Sequence, residues 1–282
     1  MESDTKIMTQ AKLLEMKSKI GYPSDWTDYD GLTIYNDDPL ATHVLKTMQD
    51  DFDQIIDTIN TSRDKDVWDM LPQEVNAYYD QELNEIVLPA GYMRVHFFDP
   101  NGYQAINYGA FGATIGHEMT HGFDASGRKY DSSGRIHNWW KGSDLERFNV
   151  SCQRLVQQFN AASTEEVPVQ GDLTLDENIA DLGGLSIAYE AFKTLLSKPN
   201  HGIADTLDGY TAEQRFFLAF AWGSQTKVRP QYAKLNGETD CHAPAKLRVN
   251  IPLSNFMPFL EAFNVQPGQG MYRTPEERIR IW

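Results

Sequence analysis

Cysteine is nearly absent from this chain of 282 residues: Cys152 and Cys241 permit at most one internal disulfide, and neither has metal-site spacing to another cysteine. A disulfide-stapled scaffold and a cysteine-held zinc module are thereby excluded. Long apolar runs are missing as well. The longest, Phe216 to Trp222, falls far short of the ~20 residues that a membrane-crossing helix needs, so no transmembrane segment is expected. Basic charge is in deficit, with 25 Lys and Arg against 40 Asp and Glu and a formal net charge of −15. Phosphate contacts need a basic surface, so this balance argues against a nucleic-acid partner. No repeat, low-complexity tract or dividing linker stands out, and residues 1–282 read as a single domain.

What is present is enough apolar material for a substantial core, at 41% hydrophobic and 12% aromatic. The most informative stretch is His117-Glu118-Met119-Thr120-His121. On a helix, positions i and i+4 lie one above the other, so both imidazoles can reach one metal ion with Glu118 beside it. The approach from Tyr108 to Gly116 is small and apolar, which suits a buried helix packed closely against other backbone. This pattern predicts a zinc hydrolase.

Apolar spacing predicts a helix over Thr5–Ile20, stopped by Gly21-Tyr22-Pro23, and a second over Pro39–Asn60. The second carries a stripe of Leu40, Val44, Leu45, Met48, Phe52, Ile55, Ile56 and Ile59, with an acidic opposite face. Two β-prone runs, Val75–Tyr79 and Glu85–Pro89, predict a hairpin. Further helices are expected over Ile106–Ser126, Lys141–Phe159, Leu173–Ser197 and Thr211–Val228.

A catalytic zinc site takes three protein ligands and leaves one position open, so two His require a third donor. Glu177 is the best candidate, in Leu175-Asp176-Glu177-Asn178-Ile179-Ala180-Asp181-Leu182-Gly183-Gly184. Asp181, four residues on, shares its helical face. A metal-bound His usually donates its other ring proton to a carboxylate, and Asp181 and Asp124 are placed to serve the two imidazoles. Asp124 reads equally as a helix-end residue facing water, and Glu177 equally as a solvated acid favoured by a helix start.

His117 through Asp124 followed by Glu177 through Gly184 resembles the neprilysin family of zinc endopeptidases, which includes endothelin-converting enzymes and bacterial endopeptidase O. Asn76-Ala77-Tyr78-Tyr79, Pro89-Ala90-Gly91, Cys241-His242-Ala243-Pro244 and Arg248-Val249-Asn250 extend the resemblance, which covers about Lys19 to Trp282. It implies an α+β fold: a mainly helical, thermolysin-like zincin catalytic domain with a small β-sheet bordering the cleft. It further implies one zinc ion held by His117, His121 and Glu177. Glu118 would take the proton of the attacking water, with Asp181 assisting from behind the ligands. His242, on its own residues a surface or structural histidine, would hydrogen-bond the oxyanion. Arg248 would bind a substrate carbonyl or carboxylate, and Asn76 with the backbone of Ala77 would hold the peptide as an added strand. Tyr92, Phe97 and Thr114 fall where the family's side-chain pocket lies, though ordinary core packing reads the same way.

The resemblance also implies what is not found in these residues. Family members carry an upstream helical cap domain, so 1–20 reads as the end of a linker or cap helix, and a separate cap-domain polypeptide is an expected partner beside peptide substrates. The terminal Cys-x-x-Trp of animal members is replaced by Ile279-Arg280-Ile281-Trp282, and a Trp common in the family by Ser224. Compartment stays open: the resemblance implies an extracytoplasmic or secreted location, whereas a native Met1–Lys6 start, without a basic and apolar leader, implies the cytoplasm. Two rivals stand beside the endopeptidase. One is a metal-binding module without turnover. The other is a thermolysin-like exopeptidase, disfavoured because Glu177 lies 56 residues beyond His121, much farther than in those enzymes.

Overall fold

The computed structural model describes residues 1–26, 28–61, 66–94, 97–199 and 202–281. Trp282, at the end of the altered terminal motif, lies outside them. The chain opens with α1 (Ser3–Glu15) and β1 (Lys17–Gly21), then α2 (Leu40–Asp57), and the hairpin of β2 (Tyr78–Asp80) and β3 (Glu85–Pro89). After α3 (Gln104–Asn107) a π turn (Tyr108–Gly112) leads into α4 (Ala113–His121). The helices α5 (Gly142–Ala161) and α6 (Leu175–Leu196) follow, then a small hairpin of β4 (Thr206–Leu207) and β5 (Tyr210–Thr211). Four helices close the chain: α7 (Ala212–Gly223), α8 (Pro230–Thr239), α9 (Ala245–Asn255) and α10 (Met257–Ala262). The fold is mostly helical with a small sheet, as expected.

The expected first helix ends at Glu15, and the residues beyond Met16 form a strand instead. Lys17–Gly21 runs parallel to β3, with Lys17 opposite Glu85 and Gly21 opposite Pro89. Here a tertiary partner overrides local helical spacing. β2 pairs antiparallel with the other side of β3, giving the order β1-β3-β2 and leaving β2 at an edge. Of the first predicted run only Tyr78 and Tyr79 are strand, which continues to Asp80. The central β3 is buried along its whole length.

α2 forms as its periodicity predicts, but its apolar stripe is exposed and the helix buries no residue. The expected helix over Ile106–Ser126 starts earlier, is interrupted by the π turn, and stops at His121 before Gly122. The predicted Thr211–Val228 helix ends at Gly223; a capping box starts it, in which Thr211 accepts from the Gln214 amide while the Gln214 side chain accepts from the Thr211 amide.

Two cores sit on either side of the long helix α6, which is apolar nearly all round and buried accordingly. One packs α5 with Trp139, Trp140 and Phe123. The other is an aromatic cluster of Tyr189, Phe192, Phe216 and Phe217. Between them α4 crosses α6 with almost no side chain at the contact. A Cβ at Gly116 would lie 2.9 Å from the Gly184 carbonyl, and one at Gly184 would lie 2.7 Å from the His117 amide nitrogen. Small residues let these two helices approach far closer than ordinary packing, which brings their functional side chains together. Both cysteines are free, Cys152 buried and Cys241 exposed. No helix among the described residues is long and apolar enough to cross a membrane.

Candidate metal and active site

Every site residue expected from the sequence lines one cavity of about 620 Å³. Its wall is α4, its floor the first turns of α6, and its rims β2 on one side and the start of α9 on the other.

The donors His117, His121 and Glu177 each present one atom within 4.8 Å of the others. Carboxylates fix the two rings. His121 Nδ1 donates to Asp124 Oδ2 at 2.7 Å, and His117 Nδ1 donates to Asp181 Oδ1 at 2.9 Å. Because a carboxylate offers no proton, each ring carries its hydrogen on Nδ1 and turns Nε2 inward. The two Nε2 atoms then face each other at 3.1 Å, an arrangement that needs a proton or a cation between them. Glu177 Oε2 points at the same spot, 3.2 Å from His117 Nε2 and 3.1 Å from His242 Nε2, yet makes no well-aligned hydrogen bond although buried. An orphaned carboxylate oxygen beside two opposed imidazole nitrogens fits a divalent cation with nitrogen and oxygen ligands, and zinc accepts this donor set.

The electrostatics agree. Burial opposes charge on His117, but its bonds to Asp181 and Glu177 outweigh that and lift it to about 10 without a metal. His121 rises likewise, burial opposing and Asp124 prevailing. Burial would raise Glu177, but the close imidazoles of His117 and His242 hold it far below the usual carboxylate range, so it stays anionic. Burial lifts the Glu118 carboxyl above its usual value, against the pull of His117 and His121. A carboxylate so raised is a better proton acceptor than a solvated one.

Asp181 stands behind His117 rather than in the cavity centre, and Arg248 grips it through Nε and Nη2, both at 2.7 Å. Two of the three guanidinium nitrogens of Arg248 are thus engaged. His242 sits at the rim, with Nδ1 donating to Asp240 Oδ1 at 2.9 Å and the His242 amide donating to the same oxygen at 2.7 Å. Asp240 is a residue that the motif reading passed over; its signal was an Asp two places before a site His. The Glu177 carboxylate close by raises the His242 pKa, against burial. Asn76 and Ala77 lead directly into the edge strand β2 along the cavity. The Tyr92 hydroxyl and Thr114 Oγ1 are 3.0 Å apart, and Tyr92 stacks on Phe97 with centroids at 4.4 Å.

Known proteins resemble this chain in sequence and fold. The family model described as "Peptidase family M13" matches residues 76–279. Endothelin-converting enzyme 1 of Mus musculus is 35% identical over 290 residues, covering all of this chain and 37% of the relative. Human neprilysin is 34% identical over 294 residues, again covering the whole chain and 39% of the relative. Among solved structures, zinc metalloprotease Zmp1 of Mycobacterium tuberculosis in complex with an inhibitor superposes with a TM-score of 0.94 at 38% identity, covering all of this chain and 43% of that one. The chain therefore spans well under half the length of the proteins it matches, and with the family model covering most of its residues it belongs to peptidase family M13.

Proposed function

We propose that this chain is the catalytic domain of a zinc-dependent endopeptidase, in which His117, His121 and Glu177 hold one zinc ion. The observation that carries the reading is the pair of inward Nε2 atoms at 3.1 Å, each ring braced by its own carboxylate. Zinc held there supplies positive charge that acidifies an attacking water and polarises the scissile carbonyl. Glu118, beside the ligands and raised by burial, takes the proton of that water and returns it to the departing amine. A purely structural metal site has no use for such a carboxylate.

His242, braced by Asp240 through Nδ1 and carrying a raised pKa, turns Nε2 to the cavity and in its protonated form donates from there to the oxyanion. The peptide lies along the free edge of β2, held by Asn76 and the backbone of Ala77. Arg248 receives a substrate carbonyl or carboxylate beside Asp181, and Tyr92, Phe97 and Thr114 line the pocket for a side chain. Asp124 and Asp181 keep the two imidazoles in register.

A second reading has its own support. The bare apolar stripe of α2, from Leu40 to Ile56, is the kind of surface that another polypeptide covers, and the relatives are more than twice as long. On this reading turnover requires a separate cap-domain chain.

One experiment separates the two: bound zinc and cleavage of a quenched peptide library by the 282-residue chain, beside Glu118→Gln. Cleavage by the wild type, lost in the variant at full zinc content, supports a self-sufficient peptidase. Stoichiometric zinc with no cleavage by either protein supports the cap-dependent reading, and absence of zinc from both sinks the metal assignment.

A further inference from the structure

Lys12 is the one buried lysine among the described residues, with 1% of its surface exposed, and the chemistry above makes no use of it. From α1 its Nζ reaches through the body and donates to the carbonyls of Gly127 and Tyr130, both at 2.8 Å. It lies between the rings of Phe123 and Tyr79, 5.6 and 5.8 Å from their centroids. The Lys12 carbonyl in turn accepts from Asn84 Nδ2 at 3.0 Å, and Tyr79 donates its hydroxyl proton to Asn84 Oδ1 at 2.9 Å. A buried ammonium with two carbonyl acceptors is expensive to keep, and it ties α1 to the Gly127–Tyr130 segment.

The segment it grips is the one that leaves the His-bearing helix. Asp124 folds that segment by accepting the amide protons of Ser126 at 2.9 Å and Gly127 at 2.7 Å on Oδ1, while Oδ2 takes the Nδ1 proton of His121. Gly127 therefore gives its amide to Asp124 and its carbonyl to Lys12. From the opposite side Asp176, the neighbour of Glu177, accepts from the Ala125 amide at 3.0 Å and the Ser126 hydroxyl at 2.6 Å. Asp124 is itself buried, and Lys12 is a cation close enough for the two to attract, against the burial that lowers the lysine to about 8.

We propose that Lys12 is a positioning residue for the metal site: by fixing the Gly127–Tyr130 segment it aims Asp124, and through Asp124 it sets the ring of His121. The inference rests on the assignment of His121 as a metal ligand. Outer partners of metal-bound His typically carry 10–100-fold in metal affinity, and a residue one bond further out that acts through them carries a share of it.

The test measures zinc affinity by chelator competition for the full chain and for Lys12→Met, Asp124→Asn and the double variant. Lys12→Met is expected to bind zinc roughly tenfold more weakly. The double variant is expected to bind within about twofold of Asp124→Asn, because residues acting through one another are not additive. Unchanged affinity in Lys12→Met, or effects that simply multiply, overturns the proposal; a wild type that takes up no zinc overturns the ligand assignment instead. Should Lys12→Met fail to fold, the wild type answers alone. Coupling is reciprocal, so zinc must slow acylation of Lys12 relative to the metal-free protein while leaving exposed Lys193 unchanged. Equal Lys12 acylation in both states overturns the proposal.

Discussion

Substituting Gly184 by alanine is the sharpest perturbation of the helix crossing. The new Cβ would lie 2.6 Å from the Ala113 carbonyl oxygen, 2.7 Å from the His117 nitrogen and 3.0 Å from the His117 Cα. Carbon needs about 3.5 Å from such atoms, so α6 must back away from α4 by roughly 0.7 Å or more. All three opposing atoms are backbone, and no rotamer change relieves them. Overpacking costs about 1–3 kcal/mol, and replacing a helical glycine by alanine returns about 1 kcal/mol, so stability falls by only ~0–2 kcal/mol. Metal geometry is less forgiving, since ligand distances hold to about ±0.2 Å. With His117 on one helix and Glu177 on the other, Gly184→Ala should lose at least about tenfold in zinc affinity while remaining folded. Chelator competition and thermal unfolding with and without zinc measure both quantities. Gly183→Ala is the control: its Cβ meets the Thr120 side chain, so adding Thr120→Ala should restore it, as nothing restores Gly184→Ala. Wild-type zinc affinity in Gly184→Ala would refute the argument that this crossing sets the ligand spacing.

His242→Ala should lower kcat by about 10²–10³ with a small change in KM and zinc content, the signature of a lost oxyanion donor, and Asp240→Asn should follow in the same direction by less. Zinc uptake should release a proton: His117 is lifted to about 10, so near pH 7 its ring is protonated without metal. Affinity must then rise with pH by about one decade per unit over pH 6–8, and a flat profile would contradict the charge state derived for His117. A thiol reagent should count one reactive cysteine in the native protein, Cys241, and two after unfolding; two in the native state would mean that the α5 core around Cys152 is open.

The candidate metal ligands were legible because His117, His121 and Glu177 stand in two contiguous helical motifs, where i,i+4 spacing carries geometry directly into three dimensions, whereas His242 and Arg248 were marked by family resemblance alone. Where a function depends on distant partners the sequence was silent. Lys17–Gly21 is a strand only because β3 lies alongside it, and nothing in Lys-Ser-Lys-Ile-Gly alternates. Asp240 and Lys12 are charged residues of ordinary appearance, and their work is defined by what folds against them. For α2 the periodicity was read correctly as amphipathic, yet none of the stripe is buried, because spacing reports which face is apolar and not what covers it.

The π turn at Tyr108–Gly112 has a consequence for the lineage of this site. A π turn is what an α-helix becomes when it absorbs one additional residue, and each helical residue turns the chain by about 100° and advances it by about 1.5 Å. Because the wide turn takes up that residue locally, the helix on either side keeps its phase, and α4 still presents both imidazoles to Glu177. A one-residue deletion within 108–112 would therefore leave the ligand set intact, whereas the same deletion between His117 and His121 would turn the second imidazole about 100° away from the face that both share.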